Sequence, residues 1–286
     1  MQFALVTPTY APDFARARLL VESVNRFAEP GLPHYLVVDR RDVPLFAPLE
    51  GERVRLLVVE DVLPRWVFRV PGVTRWWLSL RSWPVRNWVL QQIVKLSVAD
   101  HVSADALIFI DSDVTFVRPF GAARFVDAAG RVRLSRVGFQ SPMHRRWLGV
   151  AAGLLGVPEA EVPAVNYVGN LITWRADVAR QLHAHLAARH RRPWQATIAR
   201  QWHFSEYMLY GLFVERVLGI EASGHFADTR PVLQLSWDYD LRQPAEVDRL
   251  FADVGPEHIG VMIHSKDGVP VAAYRPHLER LWSAHG

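Results

Sequence analysis

Apolar residues in this chain fall into short unbroken runs, and between the runs they recur every three or four positions. One run dominates. Leu107-Ile108-Phe109-Ile110 leads straight into Asp111-Ser112-Asp113. A run without polar alternation fits a strand covered on both faces, as in a parallel sheet flanked by helices. Asp is a poor strand former, so the strand is expected to end at Asp111. Both carboxylates then sit at the carboxyl edge of the sheet, where open α/β folds bind ligands.

The remaining elements follow in order. Phe3-Ala4-Leu5-Val6 predicts a buried strand ended by Pro8, which cannot donate to a ladder. From Asp13 to Arg26, Phe14, Ala17, Leu20, Val21 and Val24 repeat at helical spacing. Tyr35–Val38 and Val54–Val59 predict two more strands, with Asp39 directly after the first. No G-x-G-x-x-G follows the opening strand, which argues against a nicotinamide dehydrogenase. The stretch from Leu63 to Trp83 reads as a long loop or short helices, with its tryptophans either core or stacked on sugar rings or an apolar acceptor. Trp88 to Ala99 predicts a helix with Trp88, Val89, Ile93 and Leu96 on one side, and Gln91 and Lys95 above one another on a more polar face. Lys95 is then either a solvated charge or a group aimed at the Asp111 edge. Val165–Trp174 reads as one strand containing Gly169, a sign of close approach by a ligand or backbone. Ala176 to Ala188 is helical, and the spacing of His183, His185 and His190 does not suit zinc. Ser205 is a candidate cap for a helix opening at Glu206. Ile259–Ile263 is a last strand, running into His264-Ser265-Lys266.

Composition narrows the class. With 286 residues and half of them hydrophobic, the chain is expected to be globular, one compact domain in two halves, 1–115 and 116–286. It has no cysteine, which removes disulfide and thiolate chemistry. No leader-like segment and no apolar run near ~18 residues is present, so a cytoplasmic location without a transmembrane segment is expected. The formal charge is +4, almost all of the base is arginine, and the arginines are scattered. That argues against nucleic acid and suits a phosphate-bearing substrate. Two Asp one residue apart in a bent segment can face one hard cation, with Mg²⁺ or Mn²⁺ favoured by oxygen ligands.

Together, the nucleotide-binding opening, the strand ending in Asp111-Ser112-Asp113 and the late His264 resemble a GT-A glycosyltransferase. The segments Gln91–Leu96, Asn166–Asn170 and Phe204–Tyr207 are similar to those of a mostly uncharacterised bacterial GT-A-like family. The resemblance implies a Rossmann-like, mixed but mainly parallel sheet, with residues 1–115 binding a nucleoside-diphosphate sugar and 116–286 holding the acceptor and completing the metal site. It implies Thr7, Thr9, Tyr10 and Asp39 as nucleotide contacts, with Lys95, Asn170 and Lys266 also in the donor site. It implies Asp113 as direct metal ligand, Asp111 in support and His264 as third ligand, and an imidazole ligand tilts the choice from Mg²⁺ to Mn²⁺. Glu206 is the candidate acceptor base, or else a helix-start Glu favoured by the dipole. The acceptor is a small molecule or glycan, and the Trp-rich stretch is a possible peripheral membrane contact. Two other readings stay open. Asp111-Ser112-Asp113-Val114-Thr115 also resembles the motif of haloacid-dehalogenase phosphatases, in which it normally closes the first strand. A catalytically inactive sugar-nucleotide-binding protein is the third.

Overall fold

In the computed structural model, which describes residues 1–69, 76–138 and 141–285, the strands are, in chain order, β1 (Phe3–Pro8), β2 (His34–Val38), β3 (Val54–Val58), β4 (Val67–Phe68), β5 (Trp76–Ser79), β6 (Val85–Arg86), β7 (Ala106–Ile110), β8 (Val114–Phe116), β9 (Val132–Ser135), β10 (Val137–Gly138), β11 (Val165–Asn166), β12 (Leu171–Arg175), β13 (His225–Asp228), β14 (Leu233–Leu235) and β15 (Gly260–Met262). The longer helices are α1 (Phe14–Phe27), α2 (Asn87–Ser97), α3 (Pro142–Leu155), α4 (Ala176–His190), α5 (Glu206–Leu212), α6 (Pro244–Ala252) and α7 (Val271–His285). The architecture is α/β, with a mixed, mostly parallel central sheet in the order β12-β7-β1-β2-β3 and helices flanking it. All five residues of β7 are buried, as its unbroken apolar run requires. Among the described residues no helix is long and apolar enough to cross a membrane.

By its internal contacts the chain divides into two units, each assembled from three segments. Unit 1 is Met1–Phe3, Val58–Leu107 and Val126–Thr229; unit 2 is Ala4–Leu57, Ile108–Phe125 and Arg230–Gly286.

In unit 2 the helical repeat read in the sequence packs α1 onto β2. Ala17 and Val21 meet Leu36, Val38, Phe46 and Val54 in one buried cluster. Strand β1 runs on through Thr7 and Pro8, and Pro8 still pairs in register with Val37. Proline at the last strand position costs the ladder little, because Thr9 N–H supplies the next bond to Val37 O at 3.0 Å. A second sheet, β14-β15-β8, combines a parallel and an antiparallel pair. Helix α7 docks on it through Trp282, whose indole N–H donates to Phe116 O at 2.9 Å.

In unit 1 the stretch expected to be loop or short helices, of which residues 70–75 lie outside the described residues, contributes β4 and β5 to a small antiparallel sheet, β4-β5-β6. Trp77 is core, as one reading held, but Trp76, Trp83 and Trp88 are exposed. Helix α2 therefore buries Val89, Ile93 and Leu96 without Trp88. Nor is Val165–Trp174 one strand: the chain leaves β11 after Asn166 and re-enters as β12 at Leu171. Asn166 Oδ1 accepts from Val168 N–H at 2.9 Å, a local bond that competes with the ladder. The α4 histidines have structural partners: His183 stacks on Trp194, His185 binds Leu155 O and His190 binds Leu154 O.

Two buried imidazoles make folding acid-sensitive. His34 on β2 shares a hydrogen bond of 2.9 Å with Thr7 Oγ1, and burial, then Arg53, push it down to about 3. In unit 1 His225, bonded to Tyr210 and Ser223, is pushed to about 4, chiefly by burial. Unfolded histidine titrates near ~6.5. The unfolded chain thus binds more protons below that pH. The stability held by these neutral rings is complete above ~6.5 and is lost as pH falls towards 3–4. The urea midpoint is expected to drop between pH 7 and pH 5, and to drop less in His34→Gln. An identical pH profile for that variant would remove His34 from the explanation.

Candidate active site

Strand β7 ends at Ile110, and the next three residues form the bend into β8. Val114 N–H donates to Asp111 O at 3.1 Å, closing the bend. β15 runs antiparallel to β8 with Met262 opposite Val114. The residues after β15 are thereby delivered onto the bend. Ile263 N–H donates to Asp113 O at 3.1 Å, and Ser265 N–H donates to Asp113 Oδ2 at 3.2 Å across 152 positions of sequence. The approach depends on Gly260, where a Cβ would lie 2.9 Å from Thr115 O. The start of α1 adds a third piece. Ser112 hydrogen-bonds Asp13, and Arg16 lies 3.6 Å from Asp13 and donates to Val269 O at 3.2 Å.

This is a crowded anionic site. Burial, then Asp111 and then Asp13, push the Asp113 carboxyl up to about 7, against the pull of the Ser265 N–H. Its Oδ1 is buried with no hydrogen-bond partner. Asp13 is raised by burial, with Arg16 and Ser112 opposing. His264 is lowered, first by burial and then by Lys266 and Arg16 against Asp267 and Asp111, which keeps its imidazole neutral and able to donate a lone pair. A buried carboxylate oxygen without a partner is costly, and a hard cation is the partner its chemistry suits. The donors Asp111, Asp113 and His264 fit a divalent ion in kind. They are not drawn together as a finished cage: among the described residues no three His, Asp or Glu side chains form one.

The other expected donor contacts in unit 2 differ in their standing. Thr7 is fully buried, its hydroxyl engaged by His34, because the strand continues through it. Thr9 is buried with an unpartnered Oγ1. Tyr10 is exposed, and Asp39 sits 3.3 Å from Arg41. Lys266 is exposed. Three further residues belong here that sequence reasoning missed. Asp13 and Arg16 were absorbed into a helix pattern, where a first-turn acid and a following base have an ordinary explanation. Trp237, 57% exposed, lies with its ring centroid 4.4 Å from that of His264. Its short turn is fastened by Ser236 Oγ, which donates to Asp267 Oδ2 at 2.7 Å and accepts from His264 N–H at 3.1 Å.

In unit 1, α2 presents Gln92 and Lys95 to the start of α5. Gln92 Oε1 accepts from Glu206 N–H at 3.0 Å, and Ser205 caps the helix by accepting from Met208 N–H. Lys95 Nζ is 3.1 Å from Glu206 Oε1 and donates to Tyr207 Oη at 2.8 Å. Both side chains are largely buried. Lys95 is therefore neither a solvated charge nor free of a carboxylate. Glu206 is ion-paired rather than simply placed at a helix start. Asn170 stands at the break between β11 and β12. Nearby, Gly211 on α5 lets Tyr167 lie against the helix, since a Cβ there would be 2.2 Å from the ring.

The model of a family of unknown function, DUF6492, matches residues 3–284. No curated protein matches the sequence. Among solved structures, the galactosyltransferase LgtC with donor and acceptor sugar analogues has a TM-score of 0.50 at 13% identity, covering 99% of this chain and 96% of that one. Mouse xyloside xylosyltransferase 1 in its apo form has a TM-score of 0.50 at 12% identity, covering 94% and 100%. An active-site mutant of LgtC has a TM-score of 0.50 at 14% identity, covering 98% and 95%. At these identities the likeness is one of fold, and the fold is that of the GT-A glycosyltransferases. The Asp111–Asp113 bend follows the fourth strand of the central sheet in chain order, unlike the first-strand position of the phosphatase motif.

Proposed function

The chain belongs to the DUF6492 family of unknown function, and from that premise we propose that it is a metal-dependent glycosyltransferase moving a sugar from a nucleoside-diphosphate sugar to an acceptor hydroxyl. The observation that carries this is the buried, unpartnered Oδ1 of Asp113 beside Asp111 and Asp13, in a fold shared with sugar-nucleotide enzymes.

Asp113, Asp111 and His264 would hold the cation, and the imidazole favours Mn²⁺ over Mg²⁺. When bound, the ion supplies neutralisation of the charge that grows on the leaving diphosphate. The protein's own work is positioning. The Ser265 N–H fixes one Asp113 oxygen and leaves the other for the ion. Arg16 holds Asp13 and the carbonyl of Val269, which keeps the His264–Val269 segment in place. Exposed Lys266 beside His264 is suited to a diphosphate oxygen. Thr9, Tyr10 and Asp39 follow β1 and β2 and would contact the nucleoside, with Asn170 a further donor contact. Trp237 offers a ring face for stacking next to His264. Glu206 would take the acceptor proton in an inverting reaction, its carboxylate oriented by Lys95 and its backbone by Gln92.

Thermal unfolding in the presence of a panel of sugar nucleotides tests the reading. At a hundred times its dissociation constant, a ligand adds about 2.7 kcal/mol. One sugar nucleotide is expected to raise the melting temperature only when Mn²⁺ is present, and to be turned over under the same conditions. A shift that survives EDTA, or none across the panel, would count against it.

A further inference from the structure

The β4-β5-β6 sheet of unit 1 has one face in the core and one in solvent, and both are apolar. Val67, Trp77 and Val85 point inward and are buried. Strand pairing sets Phe68 opposite Leu78 and Trp76 opposite Arg86. Directly opposed residues share a face, and Trp76 and Leu78, two apart, share it as well. Phe68, Trp76 and Leu78 are all exposed on that outer face, and past the end of β5 Leu80 is 76% and Trp83 82% exposed. Arg86 extends the face by stacking over Trp202, itself exposed, at 4.0 Å. A solvated antiparallel sheet ordinarily alternates apolar-in with polar-out. This one does not, and contiguous exposed apolar surface marks an interaction site.

Charge selects the occupant. Between Asp61 and Asp100 the sequence has no acidic residue, yet it carries five arginines, Arg65, Arg69, Arg75, Arg81 and Arg86, and its one lysine, Lys95, is spent on Glu206 and contributes nothing to this face. Unit 1 as a whole holds 18 Lys and Arg against 12 Asp and Glu, whereas unit 2 holds 15 against 17. A second copy of the chain would oppose two basic faces across a twofold contact. A glycan platform would pair its aromatics with carboxylates or amides, and the outer-face residues Phe68, Trp76, Leu78 and Arg86 include none. Trp and Leu beside Arg fit the interface of an anionic bilayer. There indole rings sit at headgroup depth, aliphatic side chains enter the acyl boundary, and guanidinium groups meet phosphate.

We propose that the outer face of β4-β5-β6, with Leu80 and Trp83 beyond it, docks the protein on an anionic lipid surface. The proposal stands apart from the sugar-transfer reading, since it uses no residue of that site.

Co-flotation of the full chain with vesicles tests it. At low salt the protein is expected to float with vesicles of phosphatidylglycerol and phosphatidylcholine, and not with phosphatidylcholine alone. Added salt should release it. The double variant Leu80→Ser/Trp83→Ser should bind at least ~10-fold more weakly, because both side chains lose apolar area available for burial. Arg81→Gln should bind about fivefold more weakly, the usual worth of one cation near such a surface. All three side chains are exposed, so each variant should keep the melting temperature of the parent, and that is measured alongside. Leu80→Ser alone is the second probe if the double variant unfolds. Failure to float with anionic vesicles, equal flotation on neutral ones, or variants that float like the parent would each overturn the proposal.

Discussion

Replacing Asp113 by asparagine is expected to lower sugar transfer at least ~10²-fold, about 2.7 kcal/mol of barrier, while leaving the metal-free protein as stable as before or more so. Both halves follow from one geometry. In the free protein Asp113 is buried beside two other carboxylates, and only one of its oxygens is bonded. Asparagine keeps the shape and can still accept from the Ser265 N–H, yet it removes the repelled charge. The same change takes away the ligand on which the cation depends, so Mn²⁺ should no longer raise the melting temperature. Turnover and melting temperature, each with and without Mn²⁺, give four readings. A variant that loses stability in the metal-free state, or that retains transfer and still responds to Mn²⁺, would show that Asp113 has another role.

Glu206→Gln is expected to slow transfer by ~10²–10⁴-fold, the usual worth of a general base. The single variant alone cannot carry the argument, because it also strands Lys95. Removing one partner of a buried ion pair costs about 3–5 kcal/mol, and Lys95 Nζ is 3.1 Å from Glu206 Oε1 with both side chains largely buried. The double variant Lys95→Met/Glu206→Gln removes both charges and should recover most of the lost stability. If Glu206 takes the acceptor proton, the double variant folds and remains slow. Recovery of transfer together with stability would make the pair a structural tie between α2 and α5, and the base would have to be sought elsewhere.

How much of this was legible in the chain depended on range. The β7 run and the α1 repeat are local periodicities, and both elements formed within a residue or two of the expected bounds. Asp111 and Asp113 were visible because one bend brings neighbours in sequence together. His264 entered as a candidate only through the resemblance to GT-A enzymes, since a histidine after a strand has no chemistry of its own to announce. Asp13 was not visible, since its place beside Ser112 depends on where α1 starts relative to β7, a tertiary fact. The Lys95–Glu206 pair was likewise hidden, because no periodicity links α2 to α5. The small sheet failed for another reason. β4 and β6 are two residues long, too short for an alternating pattern. In β5 apolar side chains occupy both faces, which erases the alternation that would have marked it.

The two bonds that Asp113 receives from Ile263 and Ser265 bear on local opening. One uses its carbonyl and the other its carboxylate, so main chain and side chain of a single residue are clasped by the same two-residue step after β15. Amide hydrogens at 263 and 265 are therefore expected to exchange with solvent through a shared opening event rather than independently. Whatever satisfies the free oxygen of Asp113 would raise the free energy of that opening by its own binding energy to the closed form. The order of the chain's last two dozen residues, and with it the seating of α7, is in this way thermodynamically linked to the occupancy of a site on Asp113, 152 positions before Ser265 in the sequence.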